Sequence, residues 1–251
     1  MKNIVYGLFF SVLVFACKDK PKEDGKKETS EVGAEMKMET PETDWEIIFD
    51  GTSFDNLKGY LTDEVSEHWK IEEDAMVFYP PAKRNKGEAY NLVTRKEYTD
   101  FIISLEWRIA EAGNSGIFWG VHEDPLRNEA YHTGPESQVL DNDKHPDGKN
   151  GLSHQAGALY DMVAPSADVT KPVGEWNAFE ITIDHKTNTG IVVLNNVEVV
   201  NFPVNDPEWS KMVSNSKFAD WEHFGKYTTG KIGFQDHGDV VAYRNIKIKE
   251  L

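Results

Sequence analysis

The chain has 251 residues, a single cysteine, and 43 acidic against 27 basic side chains, for a formal net charge of −16. A balance this acidic argues against binding along a phosphate backbone, which needs the opposite sign. One cysteine leaves no intrachain disulfide and no cysteine-rich zinc site.

The N-terminal stretch MKNIVYGLFFSVLVFAC has Lys2, an apolar run from Ile4 to Phe15, and then Ala16-Cys17. The run is too short to span a bilayer and reads as a secretion signal. Cys17 after a small residue resembles the bacterial lipoprotein signal. Residues 1–16 are expected to be removed and Cys17 to carry lipid, which places the protein in the cell envelope with membrane contact through that anchor only. Residues 17–44 continue as a charged stretch without aromatics or apolar period, the composition of a tether. Residues 45–251 have the length of one folded domain.

Within that domain, short strand-like runs alternate with turn residues. WEIIFD precedes a Gly51-Thr52-Ser53 turn, and HWKIEEDAMVFYP reads as two strands about Asp74. In FIISLEWRI, Phe101, Ile103, Leu105, Trp107 and Ile109 fall on one face, and Ile102, Ser104, Glu106 and Arg108 on the other. SGIFWGVH, ESQVLD and GALYDMV follow as further strand candidates. EWNAFEITIDHKTNTGIVVLNNVEVVNF predicts strands joined by turns near Thr187–Gly190 and at Asn195-Asn196. PEWSKMVSNSKF is the best candidate for a short helix, and GKIGFQDHGDVVAYRNIKIKEL closes the chain with two strands. Many short strands with short connections predict an all-β, antiparallel sandwich or barrel.

Taken in order, WEIIFDGTSFDNLKGY, LVTRKEYTDFIISLEWRIAEAGNSGIFWGV, TGPESQVLDN, GALYDMVAP, KPVGEWNAFEITI, NNVEVVNF, NSKFADWEHFG and GKIGFQDHGDVVAYRNIKIKEL resemble the 3-keto-disaccharide hydrolase domain family over essentially all of residues 45–251. The resemblance implies a concanavalin A-like jelly roll. It also implies a carbohydrate substrate, a glycoside whose C3 hydroxyl has been oxidised to a ketone. A sugar 3-oxidoreductase upstream would then supply it.

Retaining glucanases of this wider fold group use two carboxylates about 5–5.5 Å apart. Here Glu136-x-Gln138-x-Leu140 lacks the second and third carboxylates. A 3-keto glycoside does not need them. Its ketone acidifies the C2 hydrogen, so one base, one donor to the enolate oxygen and one acid suffice. Glu136 is the candidate base, with Gln138 beside it on the same strand face as a substrate contact. His237, in GFQDHGD, is the candidate acid or base. Its neighbour Asp236 is a candidate orienting or substrate-binding residue, and the same run is also good turn chemistry.

Further candidate sugar contacts are Asn114 in a Gly-flanked loop, Arg108 on the polar face of its strand, Asp141, Tyr160, and Trp119 as a stacking platform; Trp107 and Trp176 are expected in the core. No cofactor is required by the sequence. A divalent metal on Asp236, His237 and Asp239, or calcium near Asp141, Asn142 and Asp143, is the cofactor alternative. The functional alternative is a non-catalytic carbohydrate-binding lipoprotein with the same aromatics.

Overall fold

The structure, a computed structural model, describes residues 44–251. The signal, Cys17 and tether expectations lie outside the described residues. Thirteen strands run in chain order as β1 (Glu46–Phe49), β2 (Leu57–Gly59), β3 (Trp69–Glu72), β4 (Ala75–Phe78), β5 (Leu92–Thr94), β6 (Phe101–Ile109), β7 (Asn114–Val121), β8 (Glu136–Leu140), β9 (Asn177–Asp184), β10 (Thr189–Leu194), β11 (Val197–Phe202), β12 (Lys231–Phe234) and β13 (Val241–Glu250). The α-helix, α1 (Glu208–Ser214), falls in the expected PEWSKMVS stretch.

The strands form two sheets, and every named pairing is antiparallel. The large sheet runs β11-β10-β9-β6-β13-β4-β3, with β1 also paired to β13. The small sheet runs β2-β5-β12-β7-β8. Strict alternation on β6 sends Phe101, Ile103, Leu105, Trp107 and Ile109 inward, all buried, while the residues between them are partly exposed. From the small sheet, Leu57, Leu92, Ile117, Val139, Ile232 and Phe234 join the same core. Tight hairpins come from residues that tolerate positive φ. Glu73-Asp74 joins β3 to β4 and Asn195-Asn196 joins β10 to β11, each with both central residues in that region.

The sandwich and its hairpins follow the sequence pattern, with two departures. GALYDMV forms no strand: Leu159 makes only isolated bridges to Ser137 and Val163, within a compact turn. Trp176 is not a core residue. It lies partly exposed, with the guanidinium groups of Arg108 and Arg244 over its ring at 4.7 and 4.1 Å.

The face of the small sheet turned away from this core positions the candidate site. Because side chains alternate, Glu136 and Gln138 on β8 share that face with Asn114 and Gly116 on β7; Asn114 pairs with Leu140, and Gly116 with Gln138. Gln235, just past β12, donates its backbone N–H to Gly116 O and points the same way.

Trp107 is 1% exposed and packs edge-on to Phe179 between the sheets. Trp107→Ala should lower unfolding free energy by about 3–5 kcal/mol, read as a lower urea midpoint. A midpoint unchanged from the parent protein would contradict this placement of the core.

Candidate functional site

A cavity of about 320 Å³ opens on that outer face. Its wall is Asn114, Glu136 and Gln138 from β7 and β8, Gln235 and His237 from the segment after β12, Tyr131 from a short 3-10 turn (Ala130–His132), Tyr160 from a loop, and Lys217, Phe218 and Trp221 from the segment after α1. A volume of this size suits a small sugar.

Glu136 is 6% exposed, and no hydrogen bond among the described residues reaches its carboxylate. Its room comes from Gly116: a Cβ there would sit 2.5 Å from Glu136 Cδ, so only glycine lets the carboxylate lie across the neighbouring strand. Burial pushes the Glu136 carboxyl up to about 8; the Lys217 cation opposes this and the Asp147 anion adds to it.

Around this base the polar groups divide into those that are held and those left open. Gln138 Nε2 donates to His154 O at 3.3 Å. Tyr160 donates its hydroxyl to Asp147 Oδ2 at 2.8 Å. His154 sits between two carboxylates, with Nδ1 2.9 Å from Asp147 Oδ1 and Nε2 2.9 Å from Asp161 Oδ1. Burial works against the charge on Asp147, but hydrogen bonds from Asn150, Tyr160 and His154 hold it below the usual carboxylate range. The carbonyl oxygens of Asn114 and Gln235 are buried without partners, at 3% and 6% residue exposure. Unpaired buried acceptors on a cavity wall are costly unless water or a ligand hydroxyl meets them.

His237 reaches the cavity from its rim, with its side chain 46% exposed. Its Nε2 lies 3.5 Å from Asn114 Nδ2 and its Nδ1 3.9 Å from Asp239 Oδ2. Burial moves its pKa below the ordinary value, and the Asp239 charge pulls the other way.

The structure brings together Glu136, Gln138, Asn114, Tyr160 and His237 and leaves four expected contacts outside. Arg108 stacks on Trp176 on the far face of the large sheet, where Glu106 instead makes a cross-strand ion pair with Arg244 at 2.8 Å. Trp119 points inward on β7 and packs against Phe202, centroids 5.9 Å apart, because its odd register puts it on the core face. Asp141 accepts from the backbone N–H groups of Ala112, Asp143 and Lys144 and caps a turn; it borders a different groove of about 490 Å³. Asp236 turns away from the cavity to pair with Arg84 and accept from Tyr90 N, so it anchors the turn that carries His237.

The metal alternative changes with it. The residues that come together are His145, His237 and Asp239, with ligand atoms within 4.8 Å of one another, and Asp236 is not among them. The fit to a divalent ion is poor. His145 Nδ1 accepts from Asp147 N at 3.1 Å, which leaves the proton of a neutral ring on Nε2, whereas metal-bound histidines donate through the other nitrogen. Asp141, Asn142 and Asp143 form no oxygen cage either: Asn142 Nδ2 donates to Asp168 and its Oδ1 accepts from Ala156 N.

Five cavity residues escaped the sequence reading: Tyr131, Lys217, Phe218, Trp221 and Gln235. Strand alternation through Phe234 would have placed Gln235 on the Glu136 face. Lys217, Phe218 and Trp221 lie in an aperiodic stretch, NSKFADWEHFG, whose only signal is its density of aromatics.

A buried acid with a raised pKa favours its neutral form in the folded state. The stability linked to that proton is fully present below about pH 4.5 and is lost as pH rises through about 8. Glu136→Gln should therefore melt with the parent protein at pH 4.5 and above it at pH 9, with a stability difference on the order of 5 kcal/mol at full ionisation. An equal difference at both pH values would show that Glu136 does not titrate in the buried site.

Comparison with known proteins adds four findings. Residues 44–249 match the family model described as a 3-keto-alpha-glucoside-1,2-lyase-like domain. A 3-keto-disaccharide hydrolase of Bacteroides thetaiotaomicron is 33% identical over 226 residues, covering 81% of this chain and 77% of that protein. A candidate glycosyl hydrolase of Parabacteroides distasonis, known from its crystal structure, superposes with a TM-score of 0.74 at 30% identity, covering 82% of this chain and 94% of that one. A second such protein of that organism shares the fold at a TM-score of 0.62 and 23% identity, over 82% and 99% of the two chains. With nearly all of the described residues matched, the chain belongs to the 3-keto-alpha-glucoside-1,2-lyase-like domain family.

Proposed function

We propose that this protein is a glycoside-cleaving enzyme that acts on 3-keto-glycosides by elimination, with Glu136 as the base. The observation that carries the reading is Glu136 itself: a buried carboxylate with no hydrogen-bond partner, a pKa raised to about 8, and no second carboxylate on its strand face. A base of that strength suits proton abstraction near neutral pH. A retaining glycosidase would need a carboxylate partner about 5–5.5 Å away, and the cavity wall supplies amides instead.

In this route Glu136 takes the proton from C2. The C–H electron pair becomes the C2–C3 double bond, and the carbonyl pair moves to the C3 oxygen as an enolate. When the ketone re-forms, the pair shifts into C1–C2 and the bond from C1 to the leaving oxygen breaks. His237, open to solvent at the rim, gives that oxygen its proton. Water then adds at C1 and a proton returns to C2, so the sum is hydrolysis. Release before water adds makes the same reaction a lyase. Asn114 and Gln235 accept from sugar hydroxyls, and Tyr131 and Trp221, ring centroids 6.0 Å apart, supply apolar faces for the sugar.

Activity needs ionised Glu136 and protonated His237 together. Because His237 lies below 6.5 and Glu136 near 8, the gain in one and loss of the other cancel between those values. Cleavage of a 3-keto-glucoside should therefore show kcat/KM that is flat in this window, falls below the His237 value and falls above about pH 8. Glu136→Gln should lower the rate about 10²–10⁴-fold, and the unoxidised glucoside should not be cleaved. Cleavage of the plain glucoside would overturn the elimination route. Binding of a keto-glycoside without cleavage would make the protein a carbohydrate-binding module.

A further inference from the structure

We propose that Lys217 is a catalytic residue of this cavity, its ammonium holding the C3 oxygen as that oxygen becomes an enolate. The inference rests on the elimination reading and names the donor that the route requires.

Lys217 follows α1 and is fixed at its root. Its backbone N–H donates to Asp161 Oδ2 at 2.6 Å, and Asp161 is held in turn by His154 Nε2 and by its own N–H to Ser153 O. The side chain then runs along the cavity wall. Its ammonium lies 4.0 Å from the Tyr160 ring centroid and 5.2 Å from that of Phe218. Cation–π contact attracts the charge without consuming its N–H donors. No ion pair among the described residues includes Lys217; by contrast Arg84, Lys58 and Arg127 are each committed to a carboxylate. The cavity wall thus displays an ammonium with no ion-pair partner among the described residues, and its charge favours ionised Glu136.

Lys217 is the one lysine or arginine on the wall; the remaining donors there are neutral groups such as amides and hydroxyls, and His237, which the route already uses as its acid. Asn114 and Gln235 offer open carbonyl oxygens, which accept from hydroxyls, and their amide N–H groups are neutral donors that bring no charge to set against an enolate. Tyr160 has its proton engaged with Asp147, and Gln138 Nε2 donates to His154 O. In the proposed step the C2 proton passes to Glu136 and the electron pair ends on the C3 oxygen against Lys217. Lys217 keeps its proton throughout, so it stabilises developing charge without taking part in proton transfer.

The test uses 3-keto-1,5-anhydroglucitol, which carries no aglycone at C1 and so reports the enolate step without glycosidic cleavage. Exchange of its C2 hydrogen in D₂O is followed by NMR with the parent protein before and after EDTA treatment and with EDTA-treated Lys217→Met and Lys217→Arg, all checked by thermal melts. The parent protein should exchange the hydrogen. Lys217→Met should do so about 10²–10³-fold more slowly, and Lys217→Arg should recover much of the loss. In Lys217→Met the alkaline limb of the cleavage profile should also move to higher pH, because ionised Glu136 loses its cation. Exchange by Lys217→Met at the parent rate, with an unshifted limb, would overturn the assignment. So would parent exchange that EDTA abolishes and Mn²⁺ or Zn²⁺ restores, since an ion would then carry the charge. Absence of both exchange and cleavage in the parent protein would instead remove the elimination reading beneath it.

Discussion

The proposed chemistry turns on one buried carboxylate that no hydrogen bond among the described residues reaches. Glu136 lies across β7 because Gly116 has no side chain, and a Cβ at that position would strike it. A buried carboxylate without hydrogen bonds is a liability for folding, of a size that single mutations rarely exceed. The same desolvation raises its pKa to about 8, the property that the proposed proton abstraction near neutral pH would use. The antiparallel pairing of β7 with β8 provides the rigid platform on which that arrangement holds.

The rest of the cavity surrounds Glu136 without neutralising it. Asp147 could have taken part, yet it is occupied by Tyr160, His154 and Asn150. Asp236 is tied to Arg84, and its backbone N–H meets Asn91. Among the described residues these commitments leave Glu136, His237, Lys217 and the Tyr131 hydroxyl uncommitted on the cavity wall, together with two unmatched amide oxygens. Two loops deliver the non-strand components: the turn around Ser153–Asp161 and the segment after α1. They are joined by the Asp161 bond to Lys217 N. A shift in either loop would move the cation relative to the base.

How much of this was legible in the sequence depends on periodicity. Strands with a clean period of two revealed both their hairpins and their faces, so the core stripe of β6 and the shared face of Glu136 and Gln138 could be read directly. The same rule, applied one strand earlier, puts Trp119 in the core with Ile117; choosing it as a platform followed its nearness to Asn114 in sequence and ignored its phase. Arg108 was correctly placed on the polar face, but alternation does not say which sheet's polar face carries the cavity. GALYDMV has strand-like residues and no partner edge long enough to use them. The segment from Asn215 to Phe224 has no period at all, and its residues gain meaning only when tertiary packing brings them beside β8. That is why Trp221 and Lys217 were invisible while Glu136 was not.

The most direct test of proton abstraction by Glu136 is the position of deuterium after cleavage of a 3-keto-glucoside in D₂O. Elimination followed by hydration places one deuterium at C2 of the released keto-sugar, with none at C2 of substrate incubated alone for the same time. A product that keeps its original hydrogen at C2 would mean displacement at C1 without an enolate, and would contradict the role assigned to Glu136.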